Sequence, residues 1–210
     1  MRLLLFLALF VTVSSAQPQD PNRLLNDAIQ AQQRGEYQLA ITEYRELLKL
    51  RPDNVEAKVN LGVALAHVGQ FDEAIAMYRS ALPSLKDKNL VLLNLGLAYY
   101  KKGDLPNARE QFAALHQAAP NNIQAAILLA DTEIKLGDAE SAAGMLEPLE
   151  RANSLNPDFD YVLGLAMILI NARKRNAQGV VVVEISATDD GNVLWDPQSP
   201  IERVIHGAYR

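Results

Sequence analysis

The chain contains no cysteine, one tryptophan and three histidines in 210 residues. Without cysteine there can be no disulfide framework, thiolate zinc site, iron–sulfur cluster, thiol nucleophile or lipid-modified cysteine anchor. Aromatic residues make up only 6%. No Asn-x-Ser/Thr acceptor occurs, and no Gly-x-Ser-x-Gly elbow or phosphate-cradling glycine loop. An excess of positive charge is also missing: 20 Lys+Arg face 25 Asp+Glu, for a net charge of −5. A chain with that balance lacks the positive field that phosphate contacts need, so no nucleic-acid partner is expected. His67, His116 and His206 stand far apart with no metal-ligand spacing. Asp189-Asp190-Gly191 lacks the alternating ligands and closing glutamate of a calcium loop. No catalytic, cofactor or metal constellation is predicted, and the chain reads as non-enzymatic.

What is present is hydrophobicity, at 49% of residues, enough for a packed core. The longest apolar run is at the start. Arg2 is followed by an apolar stretch over residues 3–13, broken only by Thr12, and then by Ser14-Ser15-Ala16. A positive start, a short apolar core and small residues are the order of a cleavable export signal. Cleavage after Ala16 is expected, leaving a short linker at 17–20 and a periplasmic or secreted chain. The run is shorter than the roughly 20 residues a membrane span needs, and no later segment qualifies, so no transmembrane segment is expected after cleavage.

The remaining pattern is a repeat. Asn60-Leu61-Gly62 returns 34 residues later as Asn94-Leu95-Gly96. Small residues continue the series at Ala28, Gly62, Gly96, Ala130 and Gly164. Three more series share the period: Gly35, Gly69, Gly103 and Gly137; Ala40, Ala74, Ala108 and Ala142; and Tyr44, Tyr78, Phe112 and Leu146. Each unit reads as two helices joined at the glycine, which supplies the positive φ that ends a helix cheaply. The small residues are expected to face each other where the helices cross, with the aromatic or leucine filling the groove one turn further on. Asp104, ahead of Pro106, and Asp138 are placed to cap second helices, with Asp72 assigned the same work in the second unit. Residues 53–56 have the form of a capping box. Pro52 and Pro120 close second helices, while Pro83 and Pro148 fall inside them and should shorten or kink them.

These residues resemble the tetratricopeptide repeat (TPR) family, and in overall style its exported bacterial members. Four full units match, at 21–54, 55–88, 89–122 and 123–156, with a partial fifth at 157–175. The family's tryptophan is replaced by Leu24, Lys58, Leu92 and Ala126. The resemblance implies an all-α, right-handed superhelical solenoid of helix-turn-helix repeats, with an irregular C-terminal tail. It implies a protein–protein interaction scaffold that binds a peptide in the concave groove lined by first helices. Transferred by register, groove candidates are Val59, Val63, His67, Leu93, Leu97, Tyr100, Lys101, Ile127, Asp131, Ile134 and Lys135. For Val59, Val63, Leu93 and Leu97, packing of unit against unit is an equal alternative. The fifth unit would add Asp158, Tyr161, Leu165, Ile168 and Leu169. Family members that grip a carboxylate tail carry Lys, Asn and Arg at places held here by Leu25, Ile29, Asn60, Leu90 and Asn94. Only Asn60 matches, so that clamp is not expected.

Past Asn171 the register fails. Arg173-Lys174-Arg175 reads as a solvated turn at a helix end, with an anion site as the lesser reading. Residues 180–185 are β-branched and precede an Asp-Asp-Gly-Asn turn signal, so 176–210 read locally as strand, turn and strand, or by family context as a fifth second helix. An end without its own cap leaves self-association, as an oligomerisation element of a larger envelope or secretion assembly, as the alternative role.

Overall fold

The computed structural model describes residues 20–153 and 156–177. The export signal and the stretch after Ala177, whether hairpin or helix, lie outside the described residues. Those described fold as successive helical hairpins: α1 Pro21–Gln33 with α2 Tyr37–Leu50, α3 Val55–His67 with α4 Phe71–Ala81, α5 Asn89–Lys102 with α6 Leu105–Ala118, and α7 Ile123–Lys135 with α8 Ala139–Leu146. A short α9, Glu150–Asn153, leads to the last helix, α10, Pro157–Ala177. No described helix is long and apolar enough to cross a membrane.

One turn is used four times. Gly35, Gly69, Gly103 and Gly137 have φ of 76°, 77°, 83° and 87°. After each, the next amide reaches back five residues: Glu36 to Ala31, Gln70 to Leu65, Asp104 to Tyr99 and Asp138 to Glu133, all at 2.9 Å. This left-handed stop satisfies carbonyls that the helix end would leave open. Asp104 and Asp138 then cap α6 and α8, accepting from Asn107 N at 3.4 Å and Ser141 N at 3.0 Å. Asp72 does not cap: Gln70 holds the position before α4 without a side-chain cap, and Asp72 instead pairs with Lys102 of α5 at 2.5 Å. Nor do residues 53–56 close a box; Asn54 alone caps α3, accepting from Ala57 N at 2.8 Å. Pro83 and Pro148 do shorten their helices. α4 and α8 stop at Ala81 and Leu146, and each proline lies in a 3-10 turn, Leu82–Ser84 and Glu147–Leu149.

Packing explains the other series. Ala40, Ala74, Ala108, Ala142, Tyr44, Tyr78, Phe112 and Leu146 are all fully buried. Yet the group pressed on Gly62 is Tyr78, not Ala74: the three atoms nearest a Cβ built there all belong to the Tyr78 ring, the closest at 2.6 Å. Gly96 meets Phe112 in the same way at 2.5 Å. The small residue therefore makes room for the aromatic ring one turn beyond the alanine.

Second helices pack onto the first helix of the next hairpin, as α2 on α3, α4 on α5 and α6 on α7. First helices also touch directly, α1 with α3, α3 with α5 and α7 with α10. The first helices thus form the inner layer and the second helices the outer one. α10 departs from the expected partial unit. Where its predecessors have the turn glycine it has Asn171, and it runs on to Ala177. Arg173 is accordingly not in a turn. It lies within the helix and is bound to α8 and the turn before it, donating to Glu140 Oε2 and to the Gly137 carbonyl, both at 3.0 Å.

Candidate peptide-binding groove

The inner layer presents the same register positions of each first helix, and their exposure differs along the array. Val59, Val63 and Leu93 are half-buried and rest on the core, so each offers part of its surface to the groove. Leu90, on the same face of α5, is 59% exposed. Leu97 and Ile127 are different: they are buried, at 0% and 1%, and are core residues rather than groove surface. Of the two readings of Leu97, packing holds. Ile134 is half-buried. On α10, Tyr161, Ile168 and Leu169 are exposed, and Leu165 is half-buried.

The C-terminal ends of the first helices form one edge, and the polar candidates gather there. The Tyr100 hydroxyl donates to Asp131 Oδ2 at 2.5 Å, joining α5 to α7. Asp131 is only 5% exposed, so this donor helps a buried carboxylate that desolvation penalises. Lys135 Nζ lies 5.8 Å from the Tyr100 ring centroid, within cation–π range. One unit earlier, the His67 ring stacks on Tyr37 with centroids 4.1 Å apart and planes 8° apart. Tyr37 was not among the residues singled out by register, because it opens a second helix. Its role comes from a chain reversal that puts the start of α2 beside the end of α3. His67, Lys101 and Lys135 therefore follow one another along this edge. Asn60, the one match to a carboxylate clamp, is half-buried beside Tyr44. Burial pushes the Tyr44 phenol up to about 12, and the neighbouring Asn60 side chain acts the other way.

Two clefts lie on the outer side and repeat the 34-residue period. One, of about 360 Å³, involves Arg45, Leu48, Leu61, Leu65 and Met77. The other, of about 310 Å³, has Arg79, Leu82, Leu95, Tyr99 and Gln111 at the corresponding places. They mark where one hairpin stacks on the next. Among the described residues no three His, Cys, Asp or Glu side chains are grouped to hold a metal. The inner surface carries an aliphatic strip on its helices, with one edge of hydrogen-bonding and cationic side chains.

Stacked helical hairpins with one turn type and one crossing per unit define a helical-repeat solenoid. Two family models described as tetratricopeptide repeat match the chain, one over residues 25–89 and 69–123 and the other over 99–166. The chain belongs to the tetratricopeptide repeat family. None of the curated proteins matches it in sequence. Among solved structures it is similar to MamA, with 16% identity over 78% of this chain and 98% of that one, at a TM-score of 0.67. It is similar to YrrB, described as a TPR protein with an unusual peptide-binding site, with 17% identity over 76% of this chain and 82% of that one, at 0.65. A tetratricopeptide repeat protein of Parabacteroides merdae is 17% identical over 75% of this chain, at 0.67. The chain spans 63% of that protein's length. At these identities the likeness establishes the fold.

Proposed function

We propose that this array is a non-catalytic scaffold that holds an extended segment of another protein in its inner groove. The observation that carries the reading is the half-buried strip Val59, Val63 and Leu93 with exposed Leu90, bordered by Tyr100, Lys101, His67 and Lys135. Aliphatic positions on a rigid surface give a peptide its anchoring energy, and a polar edge sets its direction. The peptide-binding site described for YrrB, which has the same fold, supports the reading. The test is capture of partners by the purified protein carrying Val63→Glu and Leu93→Glu together. Both side chains already meet solvent, so helical content should hold while captured partners are lost. Unchanged capture by a folded variant would refute the groove.

The setting we propose is the cell envelope or the exterior, after removal of residues 1–16. The motif of Arg2, an apolar core and Ser14-Ser15-Ala16 supports it. N-terminal sequencing of protein from the native host should begin at Gln17. A first residue of Met1 or Arg2 on cytoplasmic protein would refute export.

A further inference from the structure

We infer that the groove also has a ligand within its own chain: residues 178–202, which follow α10, bind along the inner face in competition with an external segment. The inference builds on the groove proposed above and adds its regulation. It starts from where α10 ends. The first four hairpins reverse at a glycine, but α10 has Asn171 at that place and continues to Ala177. Six further residues at about 1.5 Å each carry the helix roughly 9 Å past that level. α10 packs beside α7 as a first helix. Its C-terminal end therefore lies at the groove edge that carries Lys135, Lys101 and His67, and the chain is delivered there.

Reach is ample. From α10 across α7 and α5 to α3 is three helix spacings of about 8–10 Å, which roughly nine extended residues cover. The sequence holds 33 residues after Ala177.

Composition matches on both counts. Val193, Leu194 and Trp195, well past the roughly nine residues that the span needs, form an apolar group suited to the strip of Val59, Val63 and Leu93, and the run Val180, Val181, Val182, Val183 and Ile185 is suited to exposed Ile168 of α10 at the start of that path. From Gln178 to Glu202 there are five acidic residues, Glu184, Asp189, Asp190, Asp196 and Glu202, and no basic one. The edge they would follow carries Lys135, Lys101 and His67. Tethering then makes the encounter intramolecular, at an effective concentration on the order of millimolar. An external ligand would have to displace the tail, so partner affinity becomes adjustable through the tail's charge.

The test uses the full chain, whose lack of cysteine removes all background. Paired cysteines replace Val63 or Leu93 in the groove and Thr188 or Asn192 in the tail, and an Ala76→Cys partner on the outer face of α4 is the control. Under mild oxidation the groove pairs should form an intrachain disulfide at least about tenfold faster than the control. Lys101→Glu with Lys135→Glu should slow that bond, and adding Asp189→Lys with Asp190→Lys should restore it. Rates equal to the Ala76 control would overturn the inference. So would groove disulfides formed only between chains, which would assign the surface to a second copy. No external ligand enters this readout, so failed partner capture leaves it intact, and a failed cross-link leaves partner capture unaffected.

Discussion

Tyr78 lies on Gly62 so closely that a methyl group at that glycine would sit 2.6 Å from the ring carbon Cε1. Both residues are buried, and the Phe112–Gly96 pair repeats the geometry one unit later at 2.5 Å. Gly164 holds the same register position with nothing among the described residues within 4 Å of the corresponding point. Gly62→Ala and Gly96→Ala should each lower stability by about 1–3 kcal/mol through overpacking. Gly164→Ala should be neutral or stabilising by up to about 1 kcal/mol, since only helix propensity changes. Urea midpoints of the three variants check this, and equal losses at all three would contradict the contact.

Ala74→Leu probes the same crossing from the other helix. Ala74 has no exposed surface, so the added atoms must displace neighbours at a cost of about 1–3 kcal/mol. Thermal unfolding at the wild-type midpoint is the measurement.

Two carboxylates on the fourth hairpin should shape the acid limb of stability in opposite directions. Asp138 is held below the usual carboxylate range by hydrogen bonds from the Ser141 backbone and hydroxyl. Its contribution is present above the unfolded-state value and is lost as pH falls through the lower folded value. Glu133 is pushed up by burial, partly offset by Arg109 at 3.9 Å. Its stabilising protonation is present below the unfolded-state value and is lost as pH rises through the higher folded one. Asp138→Asn should therefore flatten the loss of stability in acid, and Glu133→Gln should raise stability at neutral pH. Unfolding free energy measured from pH 3 to 7 would show both signs.

Tyr100→Phe removes the hydroxyl that donates to Asp131. Taking a donor from a buried carboxylate should cost about 1–3 kcal/mol. Asp131→Asn added to the Tyr100→Phe variant should recover part of the loss, because the remaining group is neutral. A double-mutant cycle reads the coupling; additive effects would mean that the two side chains act independently.

Much of this was legible because repeated chemistry has few solutions. A glycine every 34 residues, followed by Glu, Gln or Asp, admits the left-handed stop seen at Gly35, Gly69, Gly103 and Gly137. Prolines inside a helix remove donors, so the breaks at Pro83 and Pro148 followed. Another series is equally available in the sequence, and the capping-box pattern at 53–56 touches one member of it. Asp20, Asn54, Asn122 and Asn156 are 34 or 68 apart and cap first helices; at Lys88, which cannot accept, Asp87 accepts from Asn89 N instead. Groove depth was not legible. Register gives the direction of Leu97 and Ile127 around their helices but not how closely neighbouring helices enclose them. The length of α10 escaped for a similar reason. Losing the turn glycine at 171 ends the repeat but not the helix, and no Gly or Pro occurs again until Gly179. Asp72 looks like a cap from its position alone, because its partner, Lys102, is brought near only by tertiary stacking.

Among the described residues each hairpin packs mainly against its neighbours along the row, and this governs how the array comes apart. With packing between the described hairpins carried mainly by adjacent ones, opening free energy accumulates joint by joint. Amide exchange should be slowest in α3 and α5 and faster towards either extremity, and pulling on the termini should release material in hairpin-sized steps. Such a body peels like stacked tiles rather than collapsing at once, so a damaged end still leaves a working middle.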